Sequence, residues 1–353
     1  MKNRLFLLIA IALCLVLSAC GGQENISGEV VEATPSALIL EMRDGERVAV
    51  LLEEDTHIFG MDDIDGDNYK AAPHTGVRVS FFHGGRADSI TAADGTQVKA
   101  YHADPFISID AYLIPGAAVL SDGTVLDAWK TGRFSTVYQT GDGVKLLRED
   151  APNGPENHYV GDMASFDDLS EAAKPHVTEF YAGQGKLYDL QAELERAWAA
   201  YQADPEAFSS FVVRQDSSPT AANEQIFYFR TDLARTVSGN TLQETTLCAA
   251  FDRNTGVSIP LTDLFICPEE DIVRHLLSLA EQEGTGPADP LVQAEMEAAF
   301  RIEYLCFAQD NLWLQFPQGT LPSQENTYLV SVAFNEDCQA LLHPWAVPNH
   351  SGQ

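Results

Sequence analysis

Residues 26–103 alternate apolar and polar positions, the pattern of half-buried β-strands. Val48 and Val50, for example, alternate with Arg47 and Ala49. Asp-Gly and Gly-Gly pairs separate the runs and are typical of tight turns. The predicted strands are 27–32, 37–42, 47–52, 76–82 and 96–102. Several short strands at regular spacing favour a small closed barrel.

The rest of the chain mixes both periodicities. Residues 107–149 continue in β-like runs, and a Pro- and Gly-rich break follows at 151–155. Helical spacing then places five side chains on one face, with Asp204-Pro205 ending the run. These side chains are Leu187, Leu190, Leu194, Trp198 and Tyr201. We interpret this stripe as core packing.

Further strands and helices are predicted in the last third. Strands are expected at 226–230 and 245–251, a hairpin at 301–307 and 312–316, and a last strand at 328–334. Helices are expected at 270–281 and 290–300, the second with Asp289 as N-cap and Pro290 at its first position. The predicted fold class is α+β. It has a small N-terminal β-barrel domain at 26–104, then an α+β domain at 105–347 with an antiparallel sheet and packed helices.

The spacing of the first strands resembles the OB-type barrels of bacterial surface proteins. Many such barrels bind oligonucleotides, which requires a basic groove and stacking aromatic side chains. Both are scarce here, so nucleic-acid binding is not carried over from the resemblance.

The first 20 residues have the order of an export signal. Lys2 and Arg4 precede an apolar run at 5–17, which is short of the roughly 20 residues that span a bilayer. The segment Leu17-Ser18-Ala19-Cys20 resembles a bacterial lipobox, which implies cleavage after residue 19 and a lipid on Cys20. We therefore expect a signal peptide at 1–19, a tether at 20–25 and a location on the outer face of the cell membrane. The alternative is an ordinary signal peptide with a chance cysteine.

The charge is strongly negative. The chain has 21 Lys and Arg against 52 Asp and Glu, a net charge of −31. Without the two basic residues of the leader, 19 basic residues face 52 acidic ones, a net charge of −33. Such a surface repels nucleic acid and attracts basic partners. Alternatively, it only keeps an exported protein soluble.

Four cysteines remain after the leader and Cys20: Cys248, Cys267, Cys306 and Cys338. An exported domain could join them in two disulfides, with three connectivities, or bury them as free thiols. No Cys-x-x-Cys pair is present, which argues against a zinc or thioredoxin-like site. We expect no cofactor.

The densest carboxylate cluster is the run from Asp62 to Asn68. With Gly66 at position 6 of an EF-hand loop, positions 1 and 12 would be Met61 and Ala72, neither of which is a ligand that this loop requires. A looser calcium site would use Asp63, Asp65 and Asp67. The alternative is a solvated acidic loop.

No catalytic pattern stands out. The nine histidines show no compact metal spacing, and nucleophile-elbow, acyl-enzyme and phosphate-loop motifs are absent from the sequence. His74, His83 and His102 could meet only through folding. A carboxylate pair for glycoside hydrolysis is defined by separation in space, so sequence does not test it. We expect a protein that is not an enzyme.

Residues 247–345 resemble an extracytoplasmic domain of unknown function. That domain forms the outer part of lysozyme-responsive sigma-V-type anti-sigma factors and precedes the catalytic domain of some peptidoglycan deacetylases. The matching segments are 251–256 (FDRNTG), 259–265 (IPLTDLF), the hairpin at 304–316 and the strand at 328–334. These positions define a fold more than an activity.

The resemblance has departures. The family's usual Gly-Gly-Ala-His-Pro stretch is replaced by residues 238–244 (SGNTLQE), and its aromatic segment after the hairpin by 318–322 (QGTLP). No sigma-binding segment precedes the leader and no deacetylase domain follows, so neither activity is carried over.

Three hypotheses about function follow. The first is a lipid-anchored surface protein that binds a basic, lysozyme-like protein or peptidoglycan without catalysis. The second is a cell-wall hydrolase or modifying enzyme with an unrecognised carboxylate pair. The third is a structural or accessory lipoprotein.

Overall fold

A computed structural model describes residues 24–61, 63–86, 88–151 and 166–349. The lipobox residues, Cys20 and Asp62 lie outside the described residues. The fold is mixed α and β and is mostly sheet. Among the residues described, no helix is both long and apolar enough to cross a bilayer.

The strands are β1 Glu24–Thr34, β2 Ala37–Glu41, β3 Arg47–Leu51, β4 His57–Phe59, β5 Val77–Arg86, β6 Ile90–Thr91, β7 Gln97–Val119, β8 Val125–Gly132, β9 Ser135–Thr140, β10 Lys145–Asp150, β11 Phe211–Ala222, β12 Ile226–Ser238, β13 Thr241–Asp252, β14 Ser258–Ile259, β15 Leu305–Phe307, β16 Asn311–Phe316 and β17 Tyr328–Ala333. The α-helices are α1 Gly66–Ala71, α2 Ala173–Ala182, α3 Leu190–Ala203, α4 Glu269–Glu283, α5 Pro290–Ala299 and α6 Glu336–Gln339. Short 3-10 turns lie at Phe166–Asp168, Leu261–Leu264, Ile302–Tyr304 and Pro344–Ala346.

The described residues form two compact units. The first takes in residues up to Ala117 together with Asp127–Arg133, and the second takes in Ala118–Leu126 and the chain from Phe134 onward. The predicted strands of the first domain are confirmed, each within a few residues except the last, which is much longer.

In the first unit, β1 pairs with β2, β2 with β3, β3 with β7, β7 with β5, and β5 with β1. The β3–β7 pairing is parallel and the others are antiparallel. The apolar side of these strands encloses one core that includes Leu38, Leu40, Val50, Val79 and Ile107. The alternation seen in the sequence separates two faces of these strands, but Ile39 and Ala49 on the other face of β2 and β3 are also buried, in a second cluster with Val98.

The strand β7 runs past the boundary predicted at residue 104. Its pairing with β3 ends at His102, and its pairing with β4 begins at Phe106. Pro105 lies between the stretch of β7 that pairs with β3 and the stretch that pairs with β4. Because proline has no N–H to donate to a neighbouring strand, it is tolerated where the partner changes.

The second unit has two sheets. One has the strand order β14-β13-β12-β11-β10-β9, and the other has the order β15-β16-β17. Only β10 and β11 are parallel among these pairs. A parallel connection requires a crossover, and the segment between these strands carries α2 and α3.

The predicted elements of the last third are confirmed with local differences. Asp289 caps α5 and its side chain accepts a hydrogen bond from Leu291 N. Helix α3 begins at Leu190 and leaves Leu187 outside, because Asp189 caps it through Ala192 N. The first half of the predicted strand at 301–307 is a 3-10 turn. We did not predict β11 and α2 from the sequence.

Gly66 gives the acidic loop a constraint of its own. A Cβ atom at Gly66 would clash with the carbonyl oxygen of Ile58, and one at Gly60 would clash with that of Ile64. The two backbone segments approach so closely that only glycine fits. The Gly that suggested an EF-hand position is thus required by packing.

We expect Gly66→Ala to destabilise the first unit by about 1–3 kcal/mol, the range for overpacked sites. Gly85→Ala is the matched control, because a Cβ there meets no atom within 4 Å. Urea unfolding followed by circular dichroism measures both. Equal midpoints for the two variants would contradict the close approach.

Candidate functional site

A buried carboxylate joins α3 to the large sheet of the second unit. Glu193 is only 3% exposed, and its two oxygens contact Arg196 on the same helix and Arg235 on β12, the latter at 3.3 Å. Arg196 also donates to the carbonyl of Thr236 at 2.6 Å, and Arg235 donates to Gln243 Oε1 at 3.0 Å. A buried charge requires such partners.

A second carboxylate lies in a tyrosine cluster nearby. Tyr188 donates its hydroxyl to Glu149 Oε1 at 2.5 Å, and Tyr138 donates to Oε2 at 3.1 Å. Lys186 Nζ lies 3.8 Å from Glu149 Oε1. Burial, with the charge of Glu149 second, raises the pKa of both tyrosines, and Glu193 adds to the effect on Tyr188. The tyrosines therefore stay protonated donors.

The loop that carries Lys186 and Tyr188 is held by one buried amide. Gln215 on β11 accepts from Leu187 N at 2.8 Å and donates to the carbonyl of Gly185 at 2.9 Å. The amide thus satisfies one backbone donor and one backbone acceptor. The loop and the entry into α3 are fixed to the sheet at this point.

The chemistry of this group is structural. Both oxygens of Glu193 face arginines and both oxygens of Glu149 accept from tyrosines, so each carboxylate is occupied by protein donors. A general acid or base must instead reach a substrate proton. No local pattern in the sequence indicates this group, because its members come from α3, five strands (β9 to β13) and the loop before α3.

Two of the three calcium candidates have protein partners in the structure. Asp65 caps α1 and accepts from Asn68 N at 2.8 Å, and Asp63 accepts from the hydroxyl of Tyr112 at 3.1 Å. Asp67 lies exposed in the first turn of α1, where a negative charge is favourable. These contacts account for Asp63 and Asp65 without a metal ion. The calcium site therefore remains a prediction.

The histidines of the first unit lie in separate local contacts. His102 Nδ1 is 3.2 Å from Glu53 Oε1, the ring of His83 is 4.5 Å from that of Tyr101, and the ring of His74 packs against Tyr69. Across residues 24–61, 63–86, 88–151 and 166–349, no group of three His, Cys, Asp or Glu side chains is arranged to hold a metal.

The four cysteines of the second unit are free thiols in the structure. Cys306 and Cys338 are buried, and Cys248 and Cys267 are partly buried. Burial, followed by the neighbouring Cys306 thiol, raises the pKa of Cys248. Burial raises the pKa of Cys338 to about 12, so this thiol is not a reactive nucleophile at neutral pH.

The segment 251–256 ends β13 and turns the chain toward β14. Asp252 accepts from the backbone N–H groups of Asn254 and Thr255 at 3.0 and 2.8 Å. Burial opposes its charge, but these hydrogen bonds lower the pKa of Asp252 below its usual value. Gly256 has a positive φ of 72°, and a Cβ atom there would clash with Ala173 at the start of α2.

The helices α4 and α5 carry an acidic surface. Glu269, Glu270, Glu281 and Glu297 are exposed on them. Residues 247–345 contain three arginines, no lysine and fifteen Asp and Glu, a formal charge of −12.

The three arginines of this segment already have partners. Arg274 pairs with Asp271 at 2.6 Å and Arg301 with Glu303 at 3.4 Å. Arg253 donates to the carbonyl of Asn223 at 2.9 Å. The exposed carboxylates of this segment therefore have few basic side chains of their own segment to offset them.

Two solved structures are similar to part of the chain. A DUF3298 family protein from Pseudomonas aeruginosa matches 43% of this chain and 72% of its own, with 11% identity and a TM-score of 0.31. A DUF3298 family member from Bacteroides fragilis matches 66% of this chain and 92% of its own, with 10% identity and a TM-score of 0.35. Scores this low do not require a common fold. No protein-family profile and no curated protein matches the sequence.

We expect Glu193→Ala to lower the free energy of unfolding. The loss should lie near the lower end of about 3–5 kcal/mol, the range for breaking a buried ion pair, because both guanidinium groups reach solvent. Glu206→Ala is the matched control, since Glu206 is exposed just beyond α3 and should change stability by no more than about 0.5 kcal/mol. Denaturant unfolding followed by tryptophan fluorescence gives both values. A loss as small as the control's would show that the ion pairs contribute little.

Proposed function

We propose that this protein is a lipid-anchored binding or sensing protein on the outer face of the cell membrane, without catalytic activity. Its ligand is a wall-associated basic protein of the lysozyme type, or peptidoglycan. The observation that carries the proposal is the acidic surface on α4 and α5, within a segment of formal charge −12. Complementary charge accelerates association and selects basic partners.

Two features of the fold support the proposed organisation. The cyclic strand pairing of the first unit, with one parallel pair between β3 and β7, is the arrangement that we assign to an OB-like barrel near the anchor. The segments 251–256, 259–265, 304–316 and 328–334 are those on which the resemblance to the anti-sigma extracytoplasmic domain rests. We propose that this segment is the recognition part of the chain.

The non-catalytic part of the proposal rests on the contacts of the buried Glu193 and the partly buried Glu149. Glu149 and Glu193 are both occupied by protein donors. A glycosidase pair would need one carboxyl group free to donate a proton to the leaving group. Their contacts favour a structural role over that of acid and base.

Lipid anchoring is tested by mass spectrometry of the full chain expressed in a bacterium that processes lipoproteins. We expect a mature polypeptide that begins at an acylated Cys20 and is found in the membrane fraction, and we expect Cys20→Ala to abolish the modification. Cys14→Ala is the matched control, because it changes a cysteine that cleavage would remove. An uncut wild-type chain in the cytosol would contradict the location.

Ligand binding is tested with the immobilised full chain, a basic lysozyme and purified peptidoglycan. We expect retention of at least one of them, and binding of the lysozyme should weaken steeply with salt because surface charges are screened. The double variant Glu281→Lys with Glu297→Lys should weaken that binding about fivefold or more, since each exposed charge contributes up to about 1 kcal/mol. Both residues lie in the last turns of their helices, where lysine is favourable.

The control for charge alone is Glu54→Lys with Asp55→Lys. These two exposed residues of the first unit give the same change in net charge. If the two double variants weakened lysozyme binding equally, the cause would be the overall charge of the protein and not the acidic surface on α4 and α5. Retention of neither ligand would contradict the proposal, and release of peptidoglycan fragments would favour the enzyme hypothesis.

A further inference from the structure

The two sheets of the second unit meet at a pair of thiols. Cys248 lies on β13 opposite Arg230 of β12, and Cys306 lies on β15 opposite Trp313 of β16. Cys306 is fully buried and Cys248 is partly buried. Besides burial, the Cys306 thiol also contributes to the raised pKa of Cys248, as a thiol close to it would.

An independent contact shows that the same faces of the two sheets meet. Gln315 Nε2 donates to Thr246 Oγ1 at 2.8 Å. Gln315 is two residues beyond Trp313, which pairs with Cys306, and Thr246 is two residues before Cys248. Since side chains two apart share a face of a strand, this hydrogen bond and the two thiols lie between the same two faces.

The other two cysteines have different neighbours. The carboxylate of Asp271 lies near Cys267, and that of Glu283 lies near Cys338. Negative charge disfavours the thiolate that begins disulfide formation, but Asp232 has the same effect on Cys248, so these carboxylates do not select the pair. Among the four cysteines, the facing strands β13 and β15 favour a bond between Cys248 and Cys306. Cys267 lies just before α4 and Cys338 lies in α6, away from these strands.

We infer that Cys248 and Cys306 form a disulfide that links β13 to β15, while Cys267 and Cys338 stay reduced. In the cell this oxidation rests on the proposed export, because disulfides persist outside the cytosol. The bond would join two strands of different sheets that are 58 residues apart in sequence. It would therefore act as a covalent staple across the core of the second unit.

The oxidation requires a disulfide as oxidant. The thiolate of Cys248 attacks one sulfur of the oxidant and expels a thiolate, which gives a mixed disulfide. Cys306 then loses its proton and attacks the Cys248 sulfur, and the second thiol of the oxidant leaves. Two S–H bonds are broken and one S–S bond is formed, and the oxidant takes up the two electrons and the two protons.

The folded environment predicts a slow reaction. Burial, followed by the adjacent Cys306, raises the pKa of Cys248, whereas the guanidinium of Arg230 opposes this shift. Because only the thiolate attacks, the rate with folded protein should increase with pH. Oxidation during refolding should be faster than oxidation of the folded, reduced chain.

The test uses the reduced full chain and oxidised glutathione. After incubation, free thiols are alkylated and the protein is digested without reductant for mass spectrometry. We expect one cross-linked peptide pair joining Cys248 to Cys306, with Cys267 and Cys338 alkylated, and a higher urea midpoint for the oxidised protein than for the reduced one. A different pair, or thiols that all stay reduced after refolding with the oxidant, would overturn the inference.

Single variants provide the controls. Cys248→Ser should abolish the cross-linked pair and the difference in urea midpoint, whereas Cys267→Ser should leave both unchanged. If Cys248→Ser fails to fold, the wild-type peptide map still decides the pairing. Because this assay uses purified protein, its failure would leave the proposed location untouched, and failure of export would leave the pairing intact.

Discussion

The second unit depends on the burial of β12 on both faces. Phe227 and Phe229 pack on one side in a cluster with residues of α2, and Tyr228 stacks on Phe307 of the small sheet with ring centroids 4.4 Å apart. A strand with apolar cover on both sides is a continuous apolar run, as residues 226–229 are. Helix α2 and the small sheet therefore pack on opposite faces of this strand.

The burial of β12 on both faces also explains where charged side chains are tolerated inside the second unit. The strand becomes more polar beyond residue 229, and its partners change from aromatic rings to ion pairs. Arg230 binds Asp232 there, and Arg235 binds Glu193. Each buried or half-buried charge along this stretch has an opposite charge beside it, as the cost of burying an unpaired charge requires. Acidic side chains such as Glu281 and Glu297 lie exposed on the surface instead.

The sequence predicted helices and strands well wherever one face of the element is buried and the other is exposed to solvent. The strands of the first unit and the helices α4 and α5 follow from alternation, helical spacing and the cap at Asp289. The strand β11 was missed because its inward positions include Gln215, Ser217 and Thr220, which give no apolar period. Gln215 holds the loop before α3, whereas Ser217 and Thr220 bond to β12. Local sequence reveals neither contact.

The candidate sites were less predictable because their partners are distant in sequence. Glu149 meets Tyr188 across 39 positions, and Cys248 meets Cys306 across two sheets. The composition of the chain was enough to predict an acidic surface, because the net charge is a sum that does not depend on how the residues are arranged in space. The acidic loop around Gly66 is the opposite case. Its sequence suggested a calcium site, but in the structure Asp65 caps a helix and Gly66 makes a close backbone contact.

The order in which the chain enters its two units has a further consequence. It passes from the first unit to the second after Ala117, returns at Asp127 and leaves again after Arg133. No single peptide cleavage can therefore release either unit with all of its residues. Gene rearrangements that exchange whole domains would have to move the two together, so the pair is expected to be inherited as one evolutionary module.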